Sequence, residues 1–272
     1  MLAALLHDLS KSAIGAVTTL VHPSLDAFGL EAHRIAPVTA ELWDAVAREM
    51  QNHDAVWIIA PETGGILREF TRLAESLGKK VIGSSSAAVE TCGDKLLAHA
   101  CLKKAVEMPD AEEFHAGYRR FPCVVKPVDG AGCENTFLLN NRRELLALEL
   151  PDGRFMIQPY VEGEAMSAAA VTRNDETVLL GVSMQKVEAA RQMRFSGVRG
   201  PVMYAHRGKI ETMVLEIKEK IPGLGGYWGI DFVDYRGEPV LIEINPRLTS
   251  SYPVYSAASP FNIARYAALG ER

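Results

Sequence analysis

The first 83 residues alternate short β-branched segments with amphipathic ones, and this alternation limits the possible folds more than any other feature. Strand character is found in residues 17–21, 55–60 and 80–83. Apolar side chains recur at helical spacing in residues 1–12, 40–51 and 67–77. The strand–helix–strand order predicts parallel βαβ units, and therefore a small, doubly wound α/β domain over residues 1–90. Such a domain usually opens on a strand, whereas this chain opens on a helix, so we expect a missing first strand or an unusually small domain.

The remaining two thirds of the chain are α+β in character and predict two lobes, over residues 91–153 and 154–272. The first lobe is predicted to contain helices at 94–105 and 141–149 and strands at 123–127 and 136–139. The second is predicted to be mostly strands, at 154–161, 165–172, 177–187, 226–235 and 239–244, with helices at 209–220 and 260–269. Residues 188–202 carry three arginines and little periodicity, which predicts a mobile loop.

The composition of the 272 residues excludes several classes of protein. Hydrophobic residues make up 48% and charged residues 23%, which excludes a wholly disordered chain. The net charge of −5, without a basic block, argues against a nucleic-acid partner. No apolar run approaches the ~20 residues of a membrane span, so we expect no membrane partner. The start of the chain lacks the basic residues of a signal peptide, and the four cysteines have no metal-ligand spacing, which together predict free thiols in the cytoplasm.

Two carboxylates near the C-terminal end are the clearest chemical signal. Asp231 lies within an apolar strand, and Glu243 and Asn245 alternate along the next one, with Ile242 and Ile244 expected on its other face. Two carboxylates and an amide oxygen that face one cleft form a site suited to Mg²⁺. A sheet with one solvated face would give the same alternation. The run Asn-Pro-Arg that ends at Arg247 favours a site for an anion.

Two lysines and a glycine loop form the second signal. Lys95 is near a predicted helix start, and Lys126 ends an apolar strand, where a charge needs a partner. Gly130 and Gly132 follow, and small residues let backbone N–H groups approach phosphate oxygens. Each lysine could equally be a solvated surface group, and the loop a plain turn.

The segment Phe155–Glu164 is the third signal, because an apolar strand runs there into an acidic turn. A hinge of this kind between two lobes could offer backbone hydrogen bonds to a planar base. An edge strand with a charged turn is the alternative.

The order of these signals resembles that of the ATP-grasp ligases, over about residues 91 to 252. The most specific part of the resemblance is the segment GYWGIDFVDYRGEPVLIEINPRLTSSY, followed by VVKPVDGAGCENT. The upstream segment IAPETGGILREFTRLAESLGKKVIGSSSAAVETCGDK is similar to the preceding domain of one branch, the tyramine–glutamate ligases of methanofuran and methylofuran synthesis. The resemblance implies an ATP-grasp fold behind a small pre-ATP-grasp domain.

The resemblance also implies site residues. It assigns ATP phosphates to Lys95, Lys126 and the loop at Gly130 and Gly132, and the adenine hinge to Gln158, Tyr160 and Val161. It assigns Mg²⁺, with Mn²⁺ as an alternative ion, to Asp231, Glu243 and Asn245. The ribose acid falls on Glu164, one residue earlier than usual, with Ala165 in the usual place. Gly229 stands where some members carry an arginine, so a phosphate contact is expected from Arg247 or from residues 188–202.

The implied reaction is the phosphorylation of a carboxylate by ATP and the attack of an amine on the acylphosphate. Arg247 and Lys126 are expected to be catalytic. The substrates, expected to be glutamate through its γ-carboxylate and tyramine, would contact Glu62, Thr63, Gly64, Thr249 and Ser250. Loops at strand C-termini bind ligands in open α/β sheets, although Thr63 could simply cap a helix. Another amino-acid ligase of the same fold and a nucleotide-binding regulatory protein are the alternatives. The oligomeric state stays open, a homodimer included.

Overall fold

The computed structural model describes residues 1–24, 29–38 and 41–271. Its N-terminal part begins with α1 (Leu2–Ser10), β1 (Thr18–Val21), β2 (Arg34–Pro37), α2 (Leu42–Gln51) and β3 (Ala55–Val56). A 3₁₀ turn (Thr63–Gly65), α3 (Ile66–Ser76), β4 (Lys80–Val81) and α4 (Ser86–Gly93) follow. The strands pair in parallel, β1 with β2 and β3 with β4, as the alternating pattern predicts. They form two separate two-stranded sheets.

Strand β3 is shorter than the predicted strand 55–60. It contains only Ala55–Val56, because its partner β4 also supplies only two residues. Trp57 and Ile59, beyond the end of the strand, are partly buried against the core instead. The apolar run 55–60 therefore indicates correctly that these residues are partly buried, but it overestimates the length of the hydrogen-bonded strand.

The small lobe contains α5 (Lys95–Leu102), β5 (Glu112–Glu113), β6 (Cys123–Pro127), β7 (Phe137–Leu139), α6 (Arg142–Leu146) and β8 (Phe155–Pro159). Its four strands form an antiparallel sheet in the order β5-β8-β6-β7. Helix α5 begins where predicted, because the Asp94 carboxylate accepts hydrogen bonds from the backbone N–H groups of Leu96 and Leu97 at 2.9 and 3.0 Å. This N-cap fixes Lys95 at the first turn of the helix.

The large lobe is built on five antiparallel strands in the order β11-β10-β9-β12-β13. They are β9 (Glu164–Arg173), β10 (Glu176–Glu188), β11 (Arg194–Val202), β12 (Gly226–Tyr235) and β13 (Glu238–Asn245). Helices α7 (Arg207–Lys220), α8 (Tyr252–Ala258) and α9 (Ile263–Leu269) complete it. Two helix groups pack on this sheet through separate apolar clusters: α4, α5 and α7 in one, and α1, α8 and α9 in the other.

The expectation of a mobile loop at residues 188–202 is wrong. Most of this segment is β11, which pairs with β10 in the register Met184↔Arg199 and Glu188↔Arg194. It is an edge strand, so its residues are partly exposed and show little apolar periodicity, and register shifts interrupt its alternation. Pro201 is tolerated there because an edge strand leaves one row of backbone groups unpaired.

All four cysteines are free thiols, in agreement with the sequence. In the described part of the chain, no helix is both long enough and apolar enough to cross a membrane.

Gly163 joins the two lobes at the turn between β8 and β9, and it generates a prediction. Its φ is +150°, and a Cβ atom there would lie 2.2 Å from the carbonyl oxygen of Asp234 and 2.7 Å from Val233 Cγ1. We expect Gly163→Ala to lower the free energy of unfolding by about 2–4 kcal/mol, since backbone strain and overpacking each cost about 1–3 kcal/mol. Gly208→Ala, in helix α7 with no atom within 4 Å of its added Cβ, is the matched control and should change it by no more than about 1 kcal/mol. Equal midpoints of urea unfolding for the two variants would contradict this.

Candidate active site

A cavity of about 500 Å³ lies between the small and large lobes. Most of the residues singled out from the sequence line it: Lys95, Lys126, Gly130, Gly132, Gln158, Tyr160, Val161, Asp231, Glu243, Asn245, Arg247, Thr249 and Ser250. Four others, Glu62, Thr63, Gly64 and Glu164, do not line it. The fold therefore brings together groups that are up to 155 residues apart in the chain.

The two carboxylates face each other across the β12–β13 ladder, because Asp231 pairs with Glu243 and Gly229 with Asn245. Asp231 accepts hydrogen bonds from Gln185 Nε2 at 2.8 Å and from Asn245 Nδ2 at 3.2 Å. A register shift follows Asp231, and through it Ile242 also lines the cavity. The expectation that Ile242 faces away is therefore wrong, because strict alternation fails at a bulge.

The acids differ in their proton affinity. Burial, and then the charge of Glu243, raise the pKa of Asp231 to about 7. Burial also opposes the ionisation of Glu243, but the ammonium groups of Lys95 and Lys126 prevail and hold the pKa of Glu243 below its usual value. The negative charge of Asp231 is therefore not fully offset by neighbouring groups, and it is repelled by the charge of Glu243. A cation bound between the two carboxylates would reduce this repulsion.

The described residues contain no group of three or more His, Cys, Asp or Glu side chains that could hold a metal ion. The set in this cavity is smaller, two carboxylates and one amide. Hard oxygen donors of this kind suit Mg²⁺, which usually takes one or two carboxylates together with substrate phosphates and water. The donor chemistry of Asp231, Glu243 and Asn245 therefore fits a magnesium ion that is shared with a phosphorylated ligand.

Two lysines approach Glu243 from the small lobe. Lys95 Nζ lies 3.6 Å from Glu243 Oε2 and donates a hydrogen bond to the Gly130 carbonyl oxygen at 2.5 Å. Lys126 Nζ lies 3.9 Å from the same oxygen, and only 5% of this residue is exposed. Burial lowers the pKa of Lys126 to about 8. Lys126 is thus a buried ammonium group that is still mostly charged at neutral pH, and it can bind an anionic ligand in the cavity.

The glycine loop and the hinge form two further walls. Gly132 has a φ of +64°, which its lack of a side chain permits. The Gln158 side chain is buried in the cavity wall near the end of β8, and Tyr160 and Val161 follow in the turn between the lobes. Glu164 begins β9 as an exposed residue, and Ala165 lines the cavity in its place.

The predicted substrate residues after β3 lie elsewhere. Glu62 and Gly64 line a second cavity of about 350 Å³. The Gly64 N–H donates to Asp129 Oδ2 at 2.9 Å, and Thr63 Oγ1 donates to the Asp129 carbonyl oxygen at 3.3 Å. This turn therefore contacts the loop that follows β6. Glu62 is buried and forms an ion pair with Arg247, in which Glu62 Oε2 lies 2.8 Å from both Nε and Nη2 of the guanidinium.

Sequence reasoning missed several lining residues, among them Gln185, Met193 and Phe195. Gln185 is the hydrogen-bond partner of Asp231, and its position as a polar residue within the apolar strand β10 was the available signal. Met193 and Phe195 come from the segment that was expected to be a loop. Their place in the cavity wall follows from the pairing of β10 with β11, which the sequence did not predict.

Comparisons with known proteins agree with this geometry. The profile of the ATP-grasp domain matches residues 92–251, and that of the pre-ATP-grasp 3 domain matches residues 16–89. A tyramine–L-glutamate ligase of Methanocaldococcus fervens is 32% identical over 200 residues, which are 73% of this chain and 60% of that protein. A D-alanine–D-alanine ligase of Fusobacterium nucleatum is 24% identical over 202 residues, 71% of this chain and 70% of that one.

Solved structures show the same fold. The L-amino acid ligase from Bacillus licheniformis superposes with a TM-score of 0.76 at 18% identity, over 98% of this chain and 70% of that one. The biotin carboxylase domain of the 2-oxoglutarate carboxylase from Hydrogenobacter thermophilus, solved with MgADP, superposes with a TM-score of 0.80 at 16% identity, over 99% and 68%. The chain spans about 60% of the length of the tyramine–L-glutamate ligases that it matches. The ATP-grasp profile covers more than half of the chain, and the protein therefore belongs to the ATP-grasp family, with a pre-ATP-grasp domain before it.

Proposed function

We propose that the protein is an ATP-dependent acid–amine ligase, which phosphorylates a carboxylate and passes the acyl group to an amine. The observation that carries this proposal is the convergence of Lys95 and Lys126 on Glu243, 3.6 and 3.9 Å from one carboxylate oxygen, in a buried cavity between two lobes. A lysine pair facing a carboxylate pair is suited to a ligand that brings both phosphates and a divalent cation. Members of the ATP-grasp family use ATP with a divalent metal, and the cavity has the groups for both.

In this proposal Asp231, Glu243 and Asn245 hold Mg²⁺, with Mn²⁺ as the alternative ion. When bound, the ion offsets negative charge on the phosphates of ATP. Gln185 keeps one oxygen of Asp231 oriented through its 2.8 Å hydrogen bond. The two lysines add positive charge from the opposite side, and the low polarity of a buried site strengthens both effects.

The nucleotide would extend from this end of the cavity toward the hinge. Backbone N–H groups of the loop at Gly130 and Gly132 would contact phosphate oxygens. Gln158, Tyr160 and Val161 would contact the adenine. Glu164 is exposed at the edge of this region, so we propose at most a peripheral contact with the ribose.

The reaction then needs two bond exchanges. A carboxylate oxygen of the acid attacks the γ-phosphorus, and the bond to ADP breaks. The amine nitrogen, after losing its ammonium proton to solvent, attacks the acyl carbon; the bond to phosphate breaks, and the nitrogen loses a second proton to the departing phosphate. Arg247 lines the cavity, and its fixed positive charge would stabilise the oxyanion that forms on attack. The Thr249 and Ser250 hydroxyl groups line the same end and would hold the acid substrate.

For the substrates, we propose L-glutamate, through its γ-carboxylate, and tyramine, which would place the product in methanofuran or methylofuran synthesis. Two relatives, at 32% and 28% identity over about 200 residues each, are tyramine–L-glutamate ligases, which supports this pair. The similarity to a D-alanine–D-alanine ligase, over 71% of the chain, supports a second candidate, the joining of two amino acids.

The reaction is tested by incubating the protein with ATP, Mg²⁺ and γ-carboxylate ¹⁸O-labelled glutamate together with tyramine, other amines or amino acids. We expect ADP and amide in a one-to-one ratio, with one ¹⁸O atom in each released phosphate, because the acylphosphate gives its bridging oxygen to phosphate. Phosphate without label would contradict the acylphosphate. ADP formation with D-alanine but not with tyramine would contradict glutamate and tyramine as the substrates, but it would still agree with an acid–amine ligase. Binding of ATP without turnover on any acid and amine would favour a regulatory protein.

Glu243→Gln tests the proposed metal site. The substitution keeps the size of the side chain but removes a negative ligand, so we expect turnover to fall by roughly 10²-fold or more, since a catalytic metal supplies several kcal/mol of charge stabilisation. Glu238→Gln is the matched control, because Glu238 begins the same strand but is exposed and paired with Lys209. The initial rate of each variant would be measured as a function of the Mg²⁺ concentration. Equal turnover in the two would remove Glu243 from the site.

Lys126→Met tests the proposed phosphate contact. Methionine keeps most of the length of the side chain without its charge, so we expect the affinity for ATP to weaken by about 1–3 kcal/mol, as for the loss of a charged hydrogen bond. Lys209→Met, at an exposed position of helix α7, should leave the affinity unchanged. Calorimetric titration with ATP measures both affinities. Wild-type affinity in Lys126→Met would contradict the phosphate contact and leave this lysine with a structural role only.

A further inference from the structure

The ion pair between Glu62 and Arg247 joins two parts of the molecule that are 185 residues apart. Glu62 comes from the turn between β3 and α3 in the pre-ATP-grasp domain, and Arg247 follows β13 in the large lobe. Both Nε and Nη2 of the guanidinium lie 2.8 Å from Glu62 Oε2. The pair thus fixes one edge of the arginine.

The pair lies between the two cavities. Arg247 lines the large cavity with the acids and lysines, whereas Glu62 lines only the second one. The side chains are 16% and 8% exposed, and Glu62 Oε1 has no hydrogen-bond partner among the described residues. Gly93 lies against Glu62, and a Cβ atom there would come within 3.6 Å of the Glu62 side chain. Glu62 therefore contacts Arg247 without lining the large cavity itself.

A buried ion pair of this kind is seldom the most stable solution. Removing two charges from water is expensive, and apolar side chains of similar volume often stabilise a protein equally well. Here one carboxylate oxygen is left unpaired as well, which adds to the cost. Stability alone therefore does not account for the pair.

What the pair does supply is orientation. A guanidinium is planar, so fixing Nε and Nη2 fixes its whole plane. The opposite nitrogen, Nη1, donates to the Leu248 carbonyl oxygen at 3.1 Å, and Nη2 lies 3.5 Å from Asn245 Oδ1. Arg247 is thus held by three partners, Glu62, Leu248 and Asn245, at the wall of the large cavity.

We propose that Glu62 is a positioning residue, which acts on the ligation reaction only through Arg247 and does not bind the amine. This inference rests on the proposed function and adds to it a contribution from the pre-ATP-grasp domain. Catalysis by a fixed charge depends on geometry, and a displacement of about 1 Å can reduce the rate by 10²-fold. Glu62 sets that geometry from outside the cavity.

The kinetic test uses Glu62→Gln, Arg247→Lys and the double variant. We expect Glu62→Gln to lower kcat by about 10–10²-fold with the KM for the amine unchanged, since only an interaction of the transition state is weakened. In the Arg247→Lys background the same substitution should cause no further loss, because the residue through which it acts is already altered. Glu90→Gln is the control: Glu90 lines the same second cavity but pairs with Arg68 and Arg72, and it should keep wild-type kinetics.

A second readout does not depend on activity. The Nε–H of Arg247, held by a carboxylate in a buried site, should give a slowly exchanging ¹⁵N-arginine resonance that disappears in Arg247→Lys. It should be lost or move to the range of exposed arginines in Glu62→Gln, and it should stay in place in Glu90→Gln. Should Glu62→Gln lose its cooperative unfolding transition, Glu62→Asp, which keeps the charge but is one methylene shorter, is compared in its stead and should give intermediate kcat values.

These readouts separate the possible failures. A raised KM for the amine, or losses that multiply in the double variant, would overturn the inference and make Glu62 a substrate ligand. An unchanged Arg247 resonance in Glu62→Gln would overturn it as well. The absence of ligation by the wild-type protein with every acid and amine would instead refute the proposed function, while the resonance still decides whether Glu62 orients Arg247.

Discussion

Two carboxylates that face each other in a buried site are the constraint on which the rest of the cavity depends. Asp231 and Glu243 occupy paired positions of β12 and β13, so backbone hydrogen bonding forces them together. Their repulsion must be offset locally, because both side chains are largely removed from water. Lys95 and Lys126 supply that compensation on the Glu243 side, and Gln185 and Asn245 donate hydrogen bonds to Asp231. The small lobe thus contributes the two lysines and the large lobe the two acids.

The remaining architecture serves to bring these opposite charges to one place. The cap at Asp94 fixes where α5 begins, and this sets the direction of Lys95. Lys126 is one residue from the end of β6, a central strand of the small sheet, and is held there by the ladder with β8. Neither lysine depends on a flexible loop for its position. An ATP-grasp protein can therefore present its charges before any nucleotide arrives, which lowers the reorganisation that binding requires.

Much of this could be predicted from the sequence, and the failures have physical reasons. Strands β6, β12 and β13 are buried apolar runs, so burial and strand character coincide, and the acids within them are conspicuous. Strand β11 was missed because an edge strand needs no apolar alternation, and its pairing partner is set by tertiary structure. Helices α4 and α8 were missed because most of their side chains are small, which leaves no clear apolar period, and because α8 carries a proline in its first turn. The Glu62–Arg247 pair could not be found at all, since residue types carry no information about a distance across 185 positions.

The chain that leads into β11 also ties the two lobes together. Met193 N–H donates to the Thr136 carbonyl oxygen at 2.8 Å, and Leu138 N–H donates to the Arg191 carbonyl oxygen at 3.0 Å. These bonds lie at the β7 edge of the small sheet, whereas the covalent hinge follows β8, two strands away in the order β5-β8-β6-β7. A lobe that is joined to its neighbour both at β7 and through the turn after β8 cannot rotate about that turn alone. It must first undo both bonds, at a net cost of about 1–3 kcal/mol. Separation of the two lobes therefore depends on backbone pairing at this edge, between Thr136 and Met193, which themselves line the cavity.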